Sequence, residues 1–375
     1  MTMARQATGA APDAHDGWIV VETLAEPPDG DAGPVGTVVA KDGRAKDWTA
    51  LSRAVGSKRI ADAARAMTAF VAASGEDAAE TVPGLNSPLR AVAVPGPRKA
   101  VHGVMLYAGD DSDAPPPLVV GYDWSSSRRQ FAFTPGIAGV TGREPASKLA
   151  APAFELFDHA DDADSAMYLL VALLDAEPGT RWDGTVALRT PRGARPLRNA
   201  VRTVLDTSSA DDASRYVDTV SHALAISLRA DELVVAGPSV EAFALRSLTR
   251  NSPTAIALID TERVRVVRWL TDPVENILWK GQVDQRDTPH PSDIARIVSA
   301  YRQMHEWADH RTEIPGVRLR RVDGGWTVVD LRATRVPGQR FLMVEFQPVG
   351  FSDEDDPVPP TDTGYPGRGP RRRSS

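Results

Sequence analysis

The sequence predicts an α+β protein made of three tandem units, each with strands on both sides of a helical middle. Three observations carry that expectation. Residues 254 to 346 read as two strands, a helix and three more strands. The stretch from Trp18 to Tyr107 repeats the same order. A middle stretch from Leu118 onward can be laid on the last unit at one constant offset. Hydrophobic periodicity and turn residues supply the signal in each case.

In the first unit, Trp18 to Leu24 is apolar and β-branched, as strands prefer. Ala25 to Pro34 is rich in Pro, Gly and Asp and reads as a loop, and Thr37 to Ala40 is a second short strand. Leu51, Val55, Ile60, Ala64, Met67 and Val71 follow at helical spacing. A short strand near Glu80 to Val82 comes next. Leu89 to Val94 and Val101 to Tyr107 then close the unit across Pro95-Gly96-Pro97. Residues 110–117, acidic and proline-rich, are the expected linker between units spanning 17–109 and 118–228.

The middle unit opens with Leu118 to Trp124 and Gln130 to Phe133. Phe154 to Phe157 and a helix around Ser165 to Leu174 follow. Thr185 to Thr190 and Leu197 to Leu205 then read as strands joined across Pro191-Arg-Gly193, and Arg215 to Val220 comes after a loop. Residues 229–250 are expected to connect to the last unit, with a helix from about Ser239.

The last unit, 251–349, carries the clearest hairpin. Val317 to Val322 and Trp326 to Ala333 flank Asp323-Gly-Gly325, and glycine accepts positive φ in such turns. Pro337-Gly338 precedes the final strand, Arg340 to Phe346. An offset of 131 residues pairs His159 with His290, Val186 with Val317, Leu188 with Leu319, Gly193 with Gly324 and Leu197 with Val328. Helix, loop and hairpin are therefore expected to have equal lengths in the two units, as in a duplication with the first unit a more diverged copy. Residues 1–16 and 350–375, polar and without apolar periodicity, are expected to be disordered tails.

Two stretches of the last unit resemble a PAS domain. His290-Pro-Ser-Asp293 looks like the His-Pro-Asp-Asp opening of a PAS helix, with Ser292 where that pattern has an acid, a departure expected to bear on capping only. Arg318 to Trp326 looks like the PAS hairpin in which a basic strand meets Asp-Gly and then an aromatic. The resemblance implies a five-stranded antiparallel sheet with helices on one face, often with a small-molecule pocket between them. With three such units, residues 17 to 349 are similar to an actinobacterial, mycobacterial-type family of triple-domain proteins built from PAS- and GAF-like modules. These look like sensors without an effector domain, so the resemblance implies ligand or partner sensing rather than catalysis.

Composition narrows the chemistry. The 375 residues carry a formal charge of −7, which argues against a general nucleic-acid binder. There are no cysteines, so disulfides, thiolate metal sites and cysteine nucleophiles are excluded, as is a flavin–cysteine photoadduct. No apolar run approaches the roughly 18 residues of a membrane span, and no signal peptide is evident, so a cytoplasmic protein is expected. No phosphate loop, His-Glu-x-x-His or Gly-x-Ser-x-Gly motif occurs, so no catalytic residues are assigned and no enzyme is expected.

Asp110, Asp111 and Asp113 read as solvated linker rather than a calcium loop, which would need spaced ligands and a terminal Glu. Asp161, Asp162 and Asp164 read as helix capping, and His290 as a cap beside Pro291. No metal site is assigned. Haem through one histidine is conceivable for a PAS-like unit, with His305 on the apolar helix stripe, but a packed histidine is preferred and the cofactor stays unknown. Trp279 is the first pocket candidate, followed by Tyr301, His305 and Trp269, although plain packing is the preferred reading for each tryptophan. Arg318, Arg320, Arg321, Arg332 and Arg335 form a basic hairpin expected to face solvent rather than nucleic acid. The expected function is a cytoplasmic sensory protein that binds a small ligand or a signalling protein partner, with a homodimer among the expected assemblies. The alternative is an interaction scaffold with closed pockets.

Overall fold

The computed structural model describes residues 16–24, 36–111, 113–142, 149–206, 218–232, 254–306, 311–335 and 340–360. The chain forms three antiparallel sheets. The first contains β1 (Trp18–Glu22), β2 (Thr37–Lys41), β3 (Arg44–Ala50), β4 (Ala78–Glu80), β5 (Leu89–Pro95) and β6 (Val101–Tyr107), with helices α1 (Leu51–Val55) and α2 (Lys58–Ser74) between β3 and β4. The second contains β7 (Val119–Ser125), β8 (Gln130–Phe133), β9 (Ala150–Pro152), β10 (Arg181–Thr190), β11 (Gly193–Asp206) and β12 (Asp218–Ser227). Helices α3 (Ile137–Thr141), α4 (Glu155–His159) and α5 (Ala163–Leu174) lie within it in sequence. The third contains β13 (Ala255–Asp260), β14 (Arg265–Trp269), β15 (Arg311–Arg320), β16 (Trp326–Arg335) and β17 (Phe341–Ser352), with α6 (Pro291–Glu306) preceding β15.

The strand orders are β3-β2-β1-β6-β5-β4, β9-β8-β7-β12-β11-β10 and β14-β13-β17-β16-β15. Each unit thus places its first strand beside its last, with its second strand outside the first. The expected five strands hold only for the third sheet, since the first two have six. The extra strand β3 escaped the sequence reading because Arg44–Ala50 is polar, and on this sheet edge only Trp48 is buried. Its hairpin with β2 turns through Asp42 and Gly43, both with positive φ, which suits a two-residue turn.

The 131-residue offset holds along β10 and β15 but not at the helices, which are 12 and 16 residues long rather than equal. The Asp161 amide donates to the Ala187 carbonyl and the His290 amide to that of Arg318, so the approach to the helix is out of step. Across the following hairpin the offset slips by one. Val186 pairs with Leu197, but Val317 pairs with Val329 rather than Val328. The reason is turn length. Thr190 pairs with Gly193 across a two-residue turn, whereas Arg320 pairs with Trp326 across a longer one. A slip of one residue would flip every side chain to the other face. The later strand therefore shifts so that Val329, like Leu197, stays buried.

Sheets one and two pack face to face. Trp18, Val20, Met105 and Tyr107 meet Ala200, Leu224 and Ile226 in one apolar layer. The opposite face of sheet one is covered by α2 through Met67 and Val71. Strand β1 is therefore buried on both faces, which explains its unbroken apolar run. Sheet two packs its other face on α5, through Leu169, Leu170 and Leu173. That core continues into Val267 and Phe341 of the third unit, and Phe154 reaches the third unit's own core.

The C-terminal boundary needs correction. β17 runs past residue 349 to Ser352, and the acidic run after it lies along the basic hairpin. Asp356 bonds Arg286 and Arg320, Glu354 bonds Arg318, and the Trp326 Nε1 donates to the Glu354 carbonyl at 2.8 Å. Arg318 also bonds Asp293, Arg321 pairs with Asp323 and Arg332 with Glu313, so these arginines meet acids of the same chain rather than solvent alone. Arg320 is itself buried. The N-terminal tail, the connecting helix expected from Ser239 and residues 361–375 lie outside the described residues.

Candidate ligand site

Helix α6 begins where its sequence says it should. Pro291 occupies the first helical position, and the Ser292 amide donates to His290 Nδ1 at 3.2 Å, so His290 caps the helix. Asp293 then ties the helix start to β15, accepting from the Arg318 amide at 3.0 Å and from its guanidinium at 2.9 Å. Burial works against the Asp293 carboxylate, but the Arg318 and Arg296 hydrogen bonds outweigh it and hold the group below its usual range. Ser292 does more than cap, because its hydroxyl also accepts from Arg318.

So anchored, α6 presents Ile294, Ile297, Val298, Tyr301 and Met304 to the sheet, at spacings of three and four. The first four are only half buried, because they border open space instead of packed atoms. Between them and the strand residues Leu331 and Val344 lies a cavity of about 240 Å³. That is just under the roughly 300–1,000 Å³ of typical small-molecule sites.

Two of the four sequence candidates, Trp279 and Tyr301, line this cavity. Trp269 does not. Its ring packs behind Trp279 at 4.9 Å and beside Phe346 at 5.4 Å, so it buttresses the wall. His305 lies on α6, but its side chain falls outside the described residues, as does Trp307.

Sequence reasoning missed the rim. Arg128, Arg129, Arg263, Arg265 and Lys280 line one end of the cavity, with Asp287 the acid among them. Lys280 is bonded to Asp287, and Arg129 to Asp260 and Glu262. The Arg265 Nε is buried with no hydrogen-bond partner among the described residues. Burial pulls this guanidinium down to about 10, against Asp287, and the neighbouring Arg129 and Arg263 add to the lowering. Arg128, Arg129, Pro152 and Phe154 belong to the second unit, so the cavity wall is shared between two units. A single sequence carries no periodic signal for such a shared wall.

The second unit holds a cavity of about 290 Å³ in the corresponding place, between sheet two and its helices. Phe131, Leu156, Leu169 and Tyr122 line it. The Tyr122 hydroxyl donates to Asn199 at 3.0 Å, and burial pushes the phenol pKa up.

Elsewhere, Asp162 caps α5 as expected, accepting from the amides of Asp164 and Ser165 at 3.1 and 3.0 Å. Asp110 is hydrogen-bonded to Asn86, and Asp111 to the Asp113 amide. One group of metal-ligand side chains comes together among the described residues: His102, Asp123 and His222. Burial pulls His102 down to about 4, Asp123 opposes this, and His222 and Arg98 reinforce it.

In comparisons with known proteins, residues 17–117 match the family described as Rv3651-like, N-terminal. The crystal structure of an uncharacterized protein from Mycobacterium tuberculosis superposes with a TM-score of 0.69 at 17% identity, covering 90% of this chain and 97% of that one. At that identity the likeness concerns the fold. The family match over the first unit supports the similarity to an actinobacterial family, and the structural likeness extends to the fold over most of the chain. A sensory box histidine kinase/response regulator from Burkholderia thailandensis E264 aligns at 13% identity over 30% of this chain and 77% of its own, with a TM-score of 0.23. An RNA-binding light-oxygen-voltage receptor aligns at 11% over 61% and 94%, with a TM-score of 0.24. Those two scores are too low to bear on fold or function. No curated protein matches the chain.

Proposed function

We propose that the chain is a cytoplasmic sensory protein whose third unit binds a small apolar molecule bearing an anionic group. Occupancy would reset the docking of the third unit on the second. The observation that carries this reading is the shared wall. A ligand in the third unit's cavity touches Arg128, Arg129, Pro152 and Phe154 of its neighbour, so it can bind one docking geometry better than another. The apolar floor suits a hydrocarbon or ring system, and Arg265 suits a carboxylate or phosphate that would supply its missing partner. No catalytic step is part of the proposal.

Supporting observations are the PAS-like residues, the common strand order and two cavities between sheet and helix. Open cavities favour this reading over a scaffold with closed pockets. No helix of the described residues is long and apolar enough to cross a membrane. The test is thermal shift and native mass spectrometry with straight-chain carboxylates of increasing length and the matching alcohols. Carboxylates are expected to bind more tightly than alcohols, and Arg265→Met to abolish the difference. Equal binding of both series defeats the anionic assignment. No binding of either series, with Val298→Trp leaving the melting temperature unmoved, defeats the pocket itself.

A further inference from the structure

Sheets one and two enclose a polar cluster that lies outside both cavities. His102 on β6 is 1% exposed and Asp123 on β7 is fully buried, while the His222 side chain on β12 is 22% exposed. His102 Nδ1 sits 3.2 Å from the carbonyl oxygen of Ala223. A carbonyl only accepts, so Nδ1 carries the ring proton and Nε2 the lone pair. That lone pair lies 3.5 Å from Asp123 Oδ1, an acceptor facing an acceptor. Neither His102 Nε2 nor Asp123 Oδ2 has a hydrogen-bond partner among the described residues. Such buried orphans are costly and call for an explanation.

We propose that His102, Asp123 and His222 bind a divalent first-row transition ion that bridges the first and second units. Imidazole and carboxylate ligands suit zinc, cobalt or nickel. Two ligand atoms on one tetrahedral ion at zinc-like bond lengths stand about 3.3 Å apart. The His102–Asp123 edge, at 3.5 Å, is already close to that spacing. The His222 Nδ1–Asp123 edge is 2.6 Å, the length of a hydrogen bond, and must open on binding. The ion takes the place of that hydrogen: Nδ1 turns its lone pair to the ion, and the ring carries its proton on Nε2 instead. His222 is the ligand with room to move and the route by which water enters. His102 is the fixed one, held by Ala223 and by Gly96 lying against its ring face. A ring N–H donating to a backbone carbonyl is how ligating histidines are commonly set. Arg98, 3.6 Å from Asp123 Oδ2, competes with the ion for the carboxylate.

The test uses the full chain stripped with a chelator and titrated with cobalt(II) and zinc(II), followed by calorimetry and visible absorption. One ion per chain is expected, with cobalt d–d bands displaced by zinc. His222→Gln and His102→Gln should each weaken binding at least tenfold with unchanged circular dichroism. Arg98→Gln should bind as well as the parent or better. If His102→Gln does not fold, His222→Gln, at the partly exposed position, decides alone. Binding unchanged in His222→Gln, or no one-to-one binding by the parent, overturns the proposal.

Discussion

Asp260 is the residue on which the docking of the third unit against the second turns. It is fully buried at the end of β13. It accepts from Arg129 of the second unit at 2.7 Å and from two nitrogens of Arg340 at 3.1 Å each. Glu262, 61% exposed at its side chain, bonds both arginines from the outside, and Arg340 also reaches Asp175 of the second unit. Asp260→Asn keeps the shape but removes the charge between two guanidinium groups, one of which is itself buried. Breaking a buried pair in this way costs about 3–5 kcal/mol. Arg129→Met is expected to cost less, about 1.5–3 kcal/mol, the value of a hydrogen bond to a charged group. Asp260 then still has Arg340. Urea unfolding of the parent, both single variants and the double variant measures these costs. The double variant should lose less than the sum of the singles, because the two residues share one network. Arg129→Met proving as costly as Asp260→Asn, or both costing under about 1 kcal/mol, would refute this account of the interface.

Further predictions concern the helix start, the sheet interface, the cavity and the C-terminal strap. Because Asp293 is held below its usual range, its stabilising contribution is present above the unfolded pKa near 3.8 and is lost as pH falls through the lower folded value. Denaturation midpoints of parent and Asp293→Asn should therefore converge on acidification below that window. A Cβ at Gly96 would stand 2.0 Å from His102 Nε2, so Gly96→Ala must displace a ring that Ala223 anchors. Overpacking of this kind costs about 1–3 kcal/mol, read from the urea midpoint. Val298→Phe should fill part of the third unit's cavity and suppress ligand-induced thermal shifts while leaving those from the second unit's cavity intact. Asp356→Asn removes the acid bonded to Arg286 and Arg320, so limited proteolysis after residue 352 should become faster.

Much of the fold was legible because local signals agreed with the tertiary outcome. The Asp323-Gly turn, the turn across Pro95-Gly96-Pro97, the apolar run of β1, the stripe on α6 and the caps at Asp162 and His290 all sit where spacing and turn chemistry place them, whereas the Pro337-Gly338 turn lies outside the described residues. The misses share a cause. β3 is a polar edge strand, recognisable only from its pairing with β2. The acidic run at 353–356 has the composition of a disordered tail and is ordered by arginines more than 30 residues earlier in the chain. The one-residue slip after the hairpin is invisible in an alignment and follows from turn length.

By itself, then, the sequence determined the repeated strand–helix–strand units and excluded thiol chemistry, because periodicity, turn residues and composition are local properties. That Tyr301 faces the sheet was legible for the same reason, since helix phase points it there. Only the tertiary structure decided that the cavity is open and that Arg265 stands at its rim with a buried, unsatisfied nitrogen. It likewise decided that the second unit supplies part of the wall. It alone brought His102, Asp123 and His222 together, from three strands in two sheets. Those features depend on how close the faces of separate units come, and no spacing along one chain encodes that distance.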